Sequence, residues 1–140
     1  MPTYKTETMS TGFKLLSDKA SEKDVSQFTE FFNGKCAEGW NLLSYTYVTN
    51  LFGAKSAIIA TFVEGDSAYE YKTVLMNGKS KFLATNANKS DADNFNDEIN
   101  ESSEDGWELV TYSFMSGFTV VSLLTFMSKG TLLATYRRKK

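Results

Sequence analysis

Apolar side chains recur at spacings of three and four along residues 22–37, which is the period of an amphipathic helix. A second stretch, residues 89–104, repeats this spacing. Gly39 and Gly106 follow the two stretches, and glycine is the residue that most often ends a helix in a left-handed turn. The pattern predicts two helices whose inward faces carry Val25, Phe28, Phe32 and Cys36 in the first and Ala92, Phe95, Ile99 and Ser103 in the second.

Runs rich in β-branched and aromatic residues flank both helices and predict strands at about 3–9 and 69–76, with further strands after each glycine. Strict alternation along the strand after Gly39 would place Trp40 and Leu42 on one face and Tyr45 and Tyr47 on the other. Both faces therefore carry apolar groups. We expect the helix to cover the tryptophan face, and the aromatic face to meet the other half, a second chain or a ligand.

The two halves of the chain align without gaps at a shift of 67 residues. Tyr4-Lys5-Thr6 aligns with Tyr71-Lys72-Thr73, and Gly39-Trp40 aligns with Gly106-Trp107. Near the end the shift becomes 74, so the second half carries seven extra residues, within an apolar insertion near 117–130. The pattern predicts an α+β fold of tandem β-α-β-β repeats, residues 1–66 and 67–140. The repeats are expected to form one pseudo-twofold unit with antiparallel sheets and one helix per repeat.

The second half resembles the small bacterial and phage domain of unknown function 4177. The residues that carry the resemblance are Tyr69-Glu70-Tyr71-Lys72, then Asp105 to Val110, then Leu132 to Arg138. The first half has Asn41-Leu42-Leu43 where this pattern has Glu-Leu-Val. The resemblance implies a small β-α-β-β fold and a bacterial or phage origin, and it brings no activity or catalytic residues with it.

Composition removes several chemistries. The chain has no histidine, which excludes Ser-His-Asp and Cys-His nucleophilic sites and most zinc sites. The single cysteine, Cys36, cannot form an internal disulfide and falls on the apolar helix face, as expected of an inert buried thiol in a reducing compartment. Asn77-Gly78-Lys79-Ser80 lacks the glycine-rich segment of a phosphate loop and predicts a turn. The sequence thus predicts no catalytic residues, no metal and no cofactor.

Charge and hydropathy bear on partners and location. The net charge is −2 without a basic stripe in the body of the chain, so nucleic-acid binding is not expected. The basic end, residues 137–140, is predicted to be a solvated terminus. Residues 110–128 carry no charge, but their β-branched and hydroxyl residues predict strand, turn and strand instead of a membrane span. With no apolar signal segment at the N-terminus, a cytoplasmic location is expected.

The remaining candidates for function are aromatic and apolar. We predict that the aromatic strand face packs against the other half or a second chain, with a platform for a flat ligand as the alternative. The expected function is a non-enzymatic binding or assembly module that forms a homo-oligomer; the alternative is a small-ligand (nucleotide-signal) binding or sequestering protein. The candidate ligand or interface residues are Tyr45, Tyr47, Tyr112, Phe114, Lys5, Lys72, Phe118 and Phe126, and the structural residues are Gly39, Trp40, Gly106 and Trp107.

Overall fold

The computed structural model describes residues 1–11, 22–49, 56–65, 68–83, 89–116 and 127–140. Two helices and six strands form a mixed α+β arrangement within these ranges, as the hydrophobic pattern predicted. The first half contains β1 (Tyr4–Thr11), α1 (Glu22–Ala37), β2 (Trp40–Thr49) and β3 (Ser56–Glu64). The second half contains β4 (Tyr69–Leu83), α2 (Lys89–Glu104), β5 (Glu108–Ser116) and β6 (Met127–Lys139).

The strands form two antiparallel three-stranded sheets. The N-terminal sheet has the order β1-β3-β2 and the C-terminal sheet has the order β4-β6-β5. In each sheet the last strand of its half lies in the centre, so the first strand of that half is an edge strand. Tyr4 lies opposite Val63 in one sheet, and Tyr71 lies opposite Arg137 in the other. Residues aligned in the sequence therefore occupy the same register positions.

Both helices end at the predicted glycines. Gly39 and Gly106 have φ angles of 91° and 85°, a conformation that glycine adopts without steric cost. The amide of Gly39 donates to the carbonyl of Cys36 at 2.9 Å, and the amide of Gly106 donates to that of Ser103 at 3.0 Å. These bonds close the last helical turn and direct the chain into the following strand.

A β-bulge changes which side chains share a face of β2. The register against β3 shifts between Leu42 and Ser44, and β5 shifts against β6 between Leu109 and Thr111. One extra residue reverses the alternation beyond that point. Leu42 and Tyr45 consequently lie on the same side, and both are buried. The expectation that Tyr45 would lie opposite the tryptophan face was wrong, because strict alternation does not hold across the bulge.

The segment from Asn77 to Ser80 belongs to β4 and is not a turn. β4 is 15 residues long, and its register against β6 shifts between Asn77 and Lys81. Beyond the shift, Lys81 pairs with Lys129 and Leu83 pairs with Met127. The predicted turn was wrong, because β4 pairs with β6 on both sides of residues 78–80 and these residues form an irregularity within the strand.

The core lies where α1 meets both sheets. The ring of Phe32 stacks on that of Tyr45 with centroids 5.6 Å apart, and it also contacts Tyr71 at 6.5 Å. Each such side chain contributes roughly 1.5–3 kcal/mol when it is fully buried. The buried apolar residues around them are Phe28, Cys36, Leu42, Ile58, Ala60, Phe62 and Leu133. Residues from both halves thus share this cluster.

The helices have no membrane-spanning character. Neither α1 nor α2, the helices within the described ranges, is long and apolar enough to cross a bilayer. Of the stretch without charge, residues 110–116 lie in β5 and residues 127 and 128 lie in β6. The predicted strands at its two ends are therefore present.

Candidate interaction surfaces

Helix α1 covers the free edge of β4 with three polar side chains. The amide of Asn33 pairs with the backbone of Tyr71: its Nδ2 donates to the carbonyl oxygen at 3.2 Å, and its Oδ1 accepts from the N–H at 2.8 Å. Thr29 Oγ1 accepts from the Thr73 N–H at 3.1 Å, and Cys36 Sγ lies 3.4 Å from the carbonyl oxygen of Tyr69. An edge strand exposes these groups unless something pairs with them. Here a helix of the other half does so.

Tyr45 reaches from β2 into the C-terminal sheet. Its hydroxyl donates to the carbonyl oxygen of Leu133 at 3.2 Å and accepts from Thr135 Oγ1 at 3.0 Å. The Thr135 hydroxyl has one proton, so it accepts from Thr73 Oγ1, which is 3.0 Å away. The chain of buried hydroxyls is thus directional, and each donor has an acceptor. Burial raises the pKa of Tyr45, so this phenol stays protonated.

Strands β2 and β5 also touch directly. Ser44 Oγ and Thr111 Oγ1 are 3.4 Å apart, and these two residues are aligned by the shift of 67. The Tyr47 N–H donates to Ser113 Oγ at 3.1 Å. Tyr47 itself is half-buried against the core. The halves therefore meet along aligned strands, with α1 on one side of the contact.

One face of the C-terminal sheet is filled by these contacts. We name it the docking face, and it receives α1 and Tyr45. Its residues are Tyr71, Thr73, Leu133 and Thr135, and all four are buried.

The aligned residues of the N-terminal sheet form a face that is open to solvent. We name it the open face, and it consists of Tyr4, Thr6, Ile59 and Thr61. Tyr4 is 57% exposed and Ile59 is 37% exposed, whereas Tyr71 and Leu133 are buried. Thr6 Oγ1 and Thr61 Oγ1 are 3.1 Å apart, which reproduces the Thr73–Thr135 pair. Two sheets with the same chemistry thus differ in what covers them.

Helix α2 likewise presents an uncovered copy of the α1 edge contacts. We name this surface the α2 ridge, and it consists of Asn96, Asn100 and Ser103, which align with Thr29, Asn33 and Cys36. All three ridge residues are exposed. Tyr112, which aligns with Tyr45, is 55% exposed, and its ring meets Phe95 edge-on at 5.1 Å. Within the described ranges the contact between the halves is therefore one-sided, although a pseudo-twofold relation would repeat it.

The two candidate lysines lie over the tryptophans of the Gly-Trp turns. Lys5 Nζ is 5.5 Å from the Trp40 ring centroid, and Lys72 Nζ is 4.7 Å from that of Trp107. Such cation–π contacts contribute about 0.5–1 kcal/mol at exposed sites. Both lysines thus join the first strand of their half to the turn that ends the helix.

The other contacts of Lys5 and Lys72 differ. Lys5 pairs with Glu7 at 2.8 Å, and Lys35 of α1 reaches the same carboxylate at 2.7 Å. The hydrogen bond from Lys35, and then that from Lys5, lowers the pKa of Glu7. Lys72 instead lies 5.3 Å from the Tyr136 ring centroid, and the Tyr136 hydroxyl donates to Glu98.

The basic end of the chain is only partly a free terminus. Arg137 pairs with Glu108 at 3.2 Å, and Arg138 pairs with Glu70 at 2.7 Å. The Arg138 guanidinium also lies 4.3 Å from the Trp107 ring centroid. The predicted solvated terminus was wrong for these two arginines, because β6 continues through residue 139.

Three sequence candidates lie beyond what the structure describes. They are Phe118, Phe126 and the side chain of Phe114. Residues 117–126 of the predicted insertion lie outside the described ranges as well. The edge contacts of Asn33 were not predicted. The repeat contains a sign of them, because asparagine occurs at both aligned positions, 33 and 100.

Comparison with known proteins yields one family. The family model described as a domain of unknown function (DUF4177) matches residues 69–138, which is half of the chain. No curated protein and no solved structure matches the chain significantly. The match covers the half that contains β4, α2, β5 and nearly all of β6.

Proposed function

The chain belongs to the DUF4177 family, and from this premise we propose that it is a tandem pair of DUF4177-type β-α-β-β units that acts as a binding and assembly module. The units correspond to residues 1–66 and 67–140. The same element order in both halves, a positive-φ glycine after each helix and a lysine over each tryptophan all support a duplication. A bulge in the same strand of each half supports it further.

The open face carries the proposal of an assembly module. Tyr4, Ile59 and the neighbouring Val48 expose apolar surface on one face of the N-terminal sheet. Exposed apolar surface rimmed by polar residues is a common mark of a protein-binding site. Beside this face, β1 is an edge strand, and free strand edges readily pair with another chain. A partner that covers the open face and the edge of β1 would bury the apolar side chains and pair with the backbone groups of the edge strand.

The titratable groups support binding over catalysis. Cys36 is buried on α1, where its sulfur lies 3.5 Å from Asn41 Oδ1 and close to the Tyr69 carbonyl. Burial raises the pKa of Glu98, but this carboxylate already accepts from Ser102 and Tyr136. Each of these two groups has a structural contact that accounts for its position. We therefore propose a function in binding and not in catalysis.

Light scattering after size-exclusion chromatography tests assembly through the open face. We expect a mass above the 15.7 kDa of one chain that increases with protein concentration. Ile59→Lys places a charge on the open face and is expected to restore a single-chain mass. Glu101→Lys, on an exposed position of α2, is the matched control and should assemble like the original chain. A single-chain mass at several hundred micromolar would contradict assembly.

A second candidate, binding of a small anionic ligand such as a nucleotide signal, draws on a different cluster. Lys72 and Arg138 both lie over the Trp107 ring, within 4.7 Å of its centroid. A flat anionic ligand would find charge and an aromatic surface together there. Arg138 is already paired with Glu70, so assembly is our first candidate. Native mass spectrometry of the protein purified from cells tests the second: a retained nucleotide supports it, and bare protein counts against it.

A further inference from the structure

We propose that the open face of one chain receives the α2 ridge and Tyr112 of a second copy, in the way that the docking face receives α1 and Tyr45 within the chain. The inference rests on the proposed function, because it uses the alignment of the two units and names the partner of the open face. One contact of this kind is formed inside the molecule. The residues for a second are present on its surface.

The edge of β1 matches what the α2 ridge offers. In the filled contact, Asn33 pairs with both backbone groups of Tyr71. Tyr4 aligns with Tyr71 and Asn100 aligns with Asn33. The Glu64 N–H donates to the carbonyl oxygen of Thr3, so Thr3 faces β3, and the backbone groups of Tyr4, one residue on, face away from it. Asn100 of a second copy would meet those groups with the same amide.

The N–H of Thr6, two residues further along β1, also has an aligned partner on the α2 ridge. Thr29 Oγ1 accepts from the N–H of Thr73, and the aligned residues are Asn96 and Thr6. The side-chain oxygen of Asn96 is an acceptor for that N–H. The ridge is exposed and its three residues are uncharged, so none of them is an ion that docking would have to desolvate.

The hydroxyl network around Tyr45 also has aligned residues on the open face and on Tyr112. Tyr45 binds Leu133 O and Thr135 Oγ1, and Thr73 completes the network. On the open face, Thr6 and Thr61 already form the aligned pair, at 3.1 Å. The phenol of Tyr112 would bind Thr61 Oγ1 and the carbonyl of Ile59. Docking would therefore bury two tyrosines, Tyr4 and Tyr112, that are each more than half exposed in the single chain.

We propose a second copy as the occupant because Asn96, Asn100 and Tyr112 each have an aligned partner on β1 or the open face of the same sequence. Each chain carries one ridge and one open face. The two surfaces differ, so the contact is heterologous: it closes a ring where the rotation between copies allows this and otherwise continues from copy to copy. The one-sided contact inside the chain would be completed between chains.

Disulfide trapping tests the geometry. A Thr6→Cys variant is mixed with an Asn96→Cys variant under mild oxidation, so that only contacts between chains can join the new thiols. We expect a cross-linked species of twice 15.7 kDa. Thr6→Cys mixed with Glu101→Cys is the control, because residue 101 lies on another side of α2 and should stay uncross-linked. Equal cross-linking in the two mixtures, or none in the first, would overturn the proposed contact.

A binding measurement separates this inference from the proposed function. Asn100→Ala is expected to raise the dissociation constant of self-association about tenfold, which corresponds to the loss of one well-formed amide pair. Asn100 is exposed, so the fold should persist. If Asn100→Ala and Tyr112→Phe assemble like the original chain while Ile59→Lys does not, the open face is an interface and α2 is not its partner. If the original chain stays single, both proposals fail.

Discussion

Tyr45 and Tyr112 are the same residue type at aligned positions, yet their surroundings are opposite. Tyr45 is buried, stacks on Phe32 and donates its hydroxyl proton to a backbone carbonyl. Tyr112 keeps more than half of its surface in water and touches Phe95 only edge-on. The difference comes from the neighbouring half of the molecule. The C-terminal sheet covers Tyr45 and supplies its hydrogen-bond partners, Leu133 and Thr135. Burial beneath that half is also what raises the pKa of Tyr45.

The stability of the fold should fall in alkaline solution because of Tyr45. Its folded pKa lies above the ordinary value of about 10, so its contribution is complete below pH 10 and is lost as the pH rises above that value. The loss is about 1.4 kcal/mol per pH unit for this one group. Urea unfolding between pH 9 and 11 should show a free energy of unfolding that begins to fall near pH 10 and approaches this slope above it.

Tyr45→Phe should lower stability at neutral pH and flatten the alkaline slope, since the ionising group is gone. Tyr4→Phe, which removes the hydroxyl of an exposed side chain, is the control and should keep the slope of the original chain. An unchanged slope in Tyr45→Phe would show that another group governs the alkaline transition.

Among the elements, α1 contacts both sheets, whereas α2 leaves its aligned polar residues exposed. Helix α1 covers its own sheet with Phe28 and Phe32, and it covers the edge of β4 with Thr29 and Asn33. Both contacts follow from the helical period, because residues 28 and 32 lie on one side and residues 29 and 33 lie one step around the helix. Helix α2 has the same layout, with Asn96 and Asn100 left in water.

Asn33→Ala should cost about 1–3 kcal/mol in the free energy of unfolding, since it leaves the N–H and carbonyl of Tyr71 without their partner. Chemical denaturation at low micromolar concentration measures this cost. Asn100→Ala is the matched control under the same dilute conditions and should change stability by less than about 0.5 kcal/mol. Equal effects of the two substitutions would contradict the edge-capping role of Asn33.

Across the whole molecule, the halves depend on each other unequally. The docking face of the second half is covered by the first, while the open face of the first half has no such cover within the described ranges. Tyr71 and Leu133 are therefore buried only when both halves are present. The first half contributes the helix that joins them.

Residues 67–140 expressed alone should be less stable than the full chain, because the docking face loses α1 and Tyr45. Exposing Tyr71 and Leu133 costs about 1.5–3 kcal/mol for each side chain. Thermal unfolding followed by circular dichroism should show a lower midpoint for this fragment. Adding residues 1–66 should raise the midpoint again. A fragment as stable as the full chain would show that the halves are energetically independent.

Much of the local structure was predictable from the sequence. The three-and-four spacing of Val25, Phe28, Phe32 and Cys36 predicted the first helix, and Gly39 predicted its end. These features depend on near neighbours in the chain, which a sequence displays directly. The mixed α+β class followed from the same patterns. The lysine at each first strand was visible as a repeated residue, but its tryptophan partner was not.

Only the tertiary structure decided what covers each surface. The bulge in β2 reversed the predicted faces beyond Leu42, because an extra residue in a strand is defined by its pairing partner. Pairing with β6 on both sides of residues 78–80 likewise placed the predicted turn inside a strand. The sequence by itself determined two sets of helices, glycine turns and strands with matching chemistry. Which set is buried and which stays exposed depends on contacts between residues more than 30 positions apart, such as Asn33 with Tyr71 and Tyr45 with Leu133.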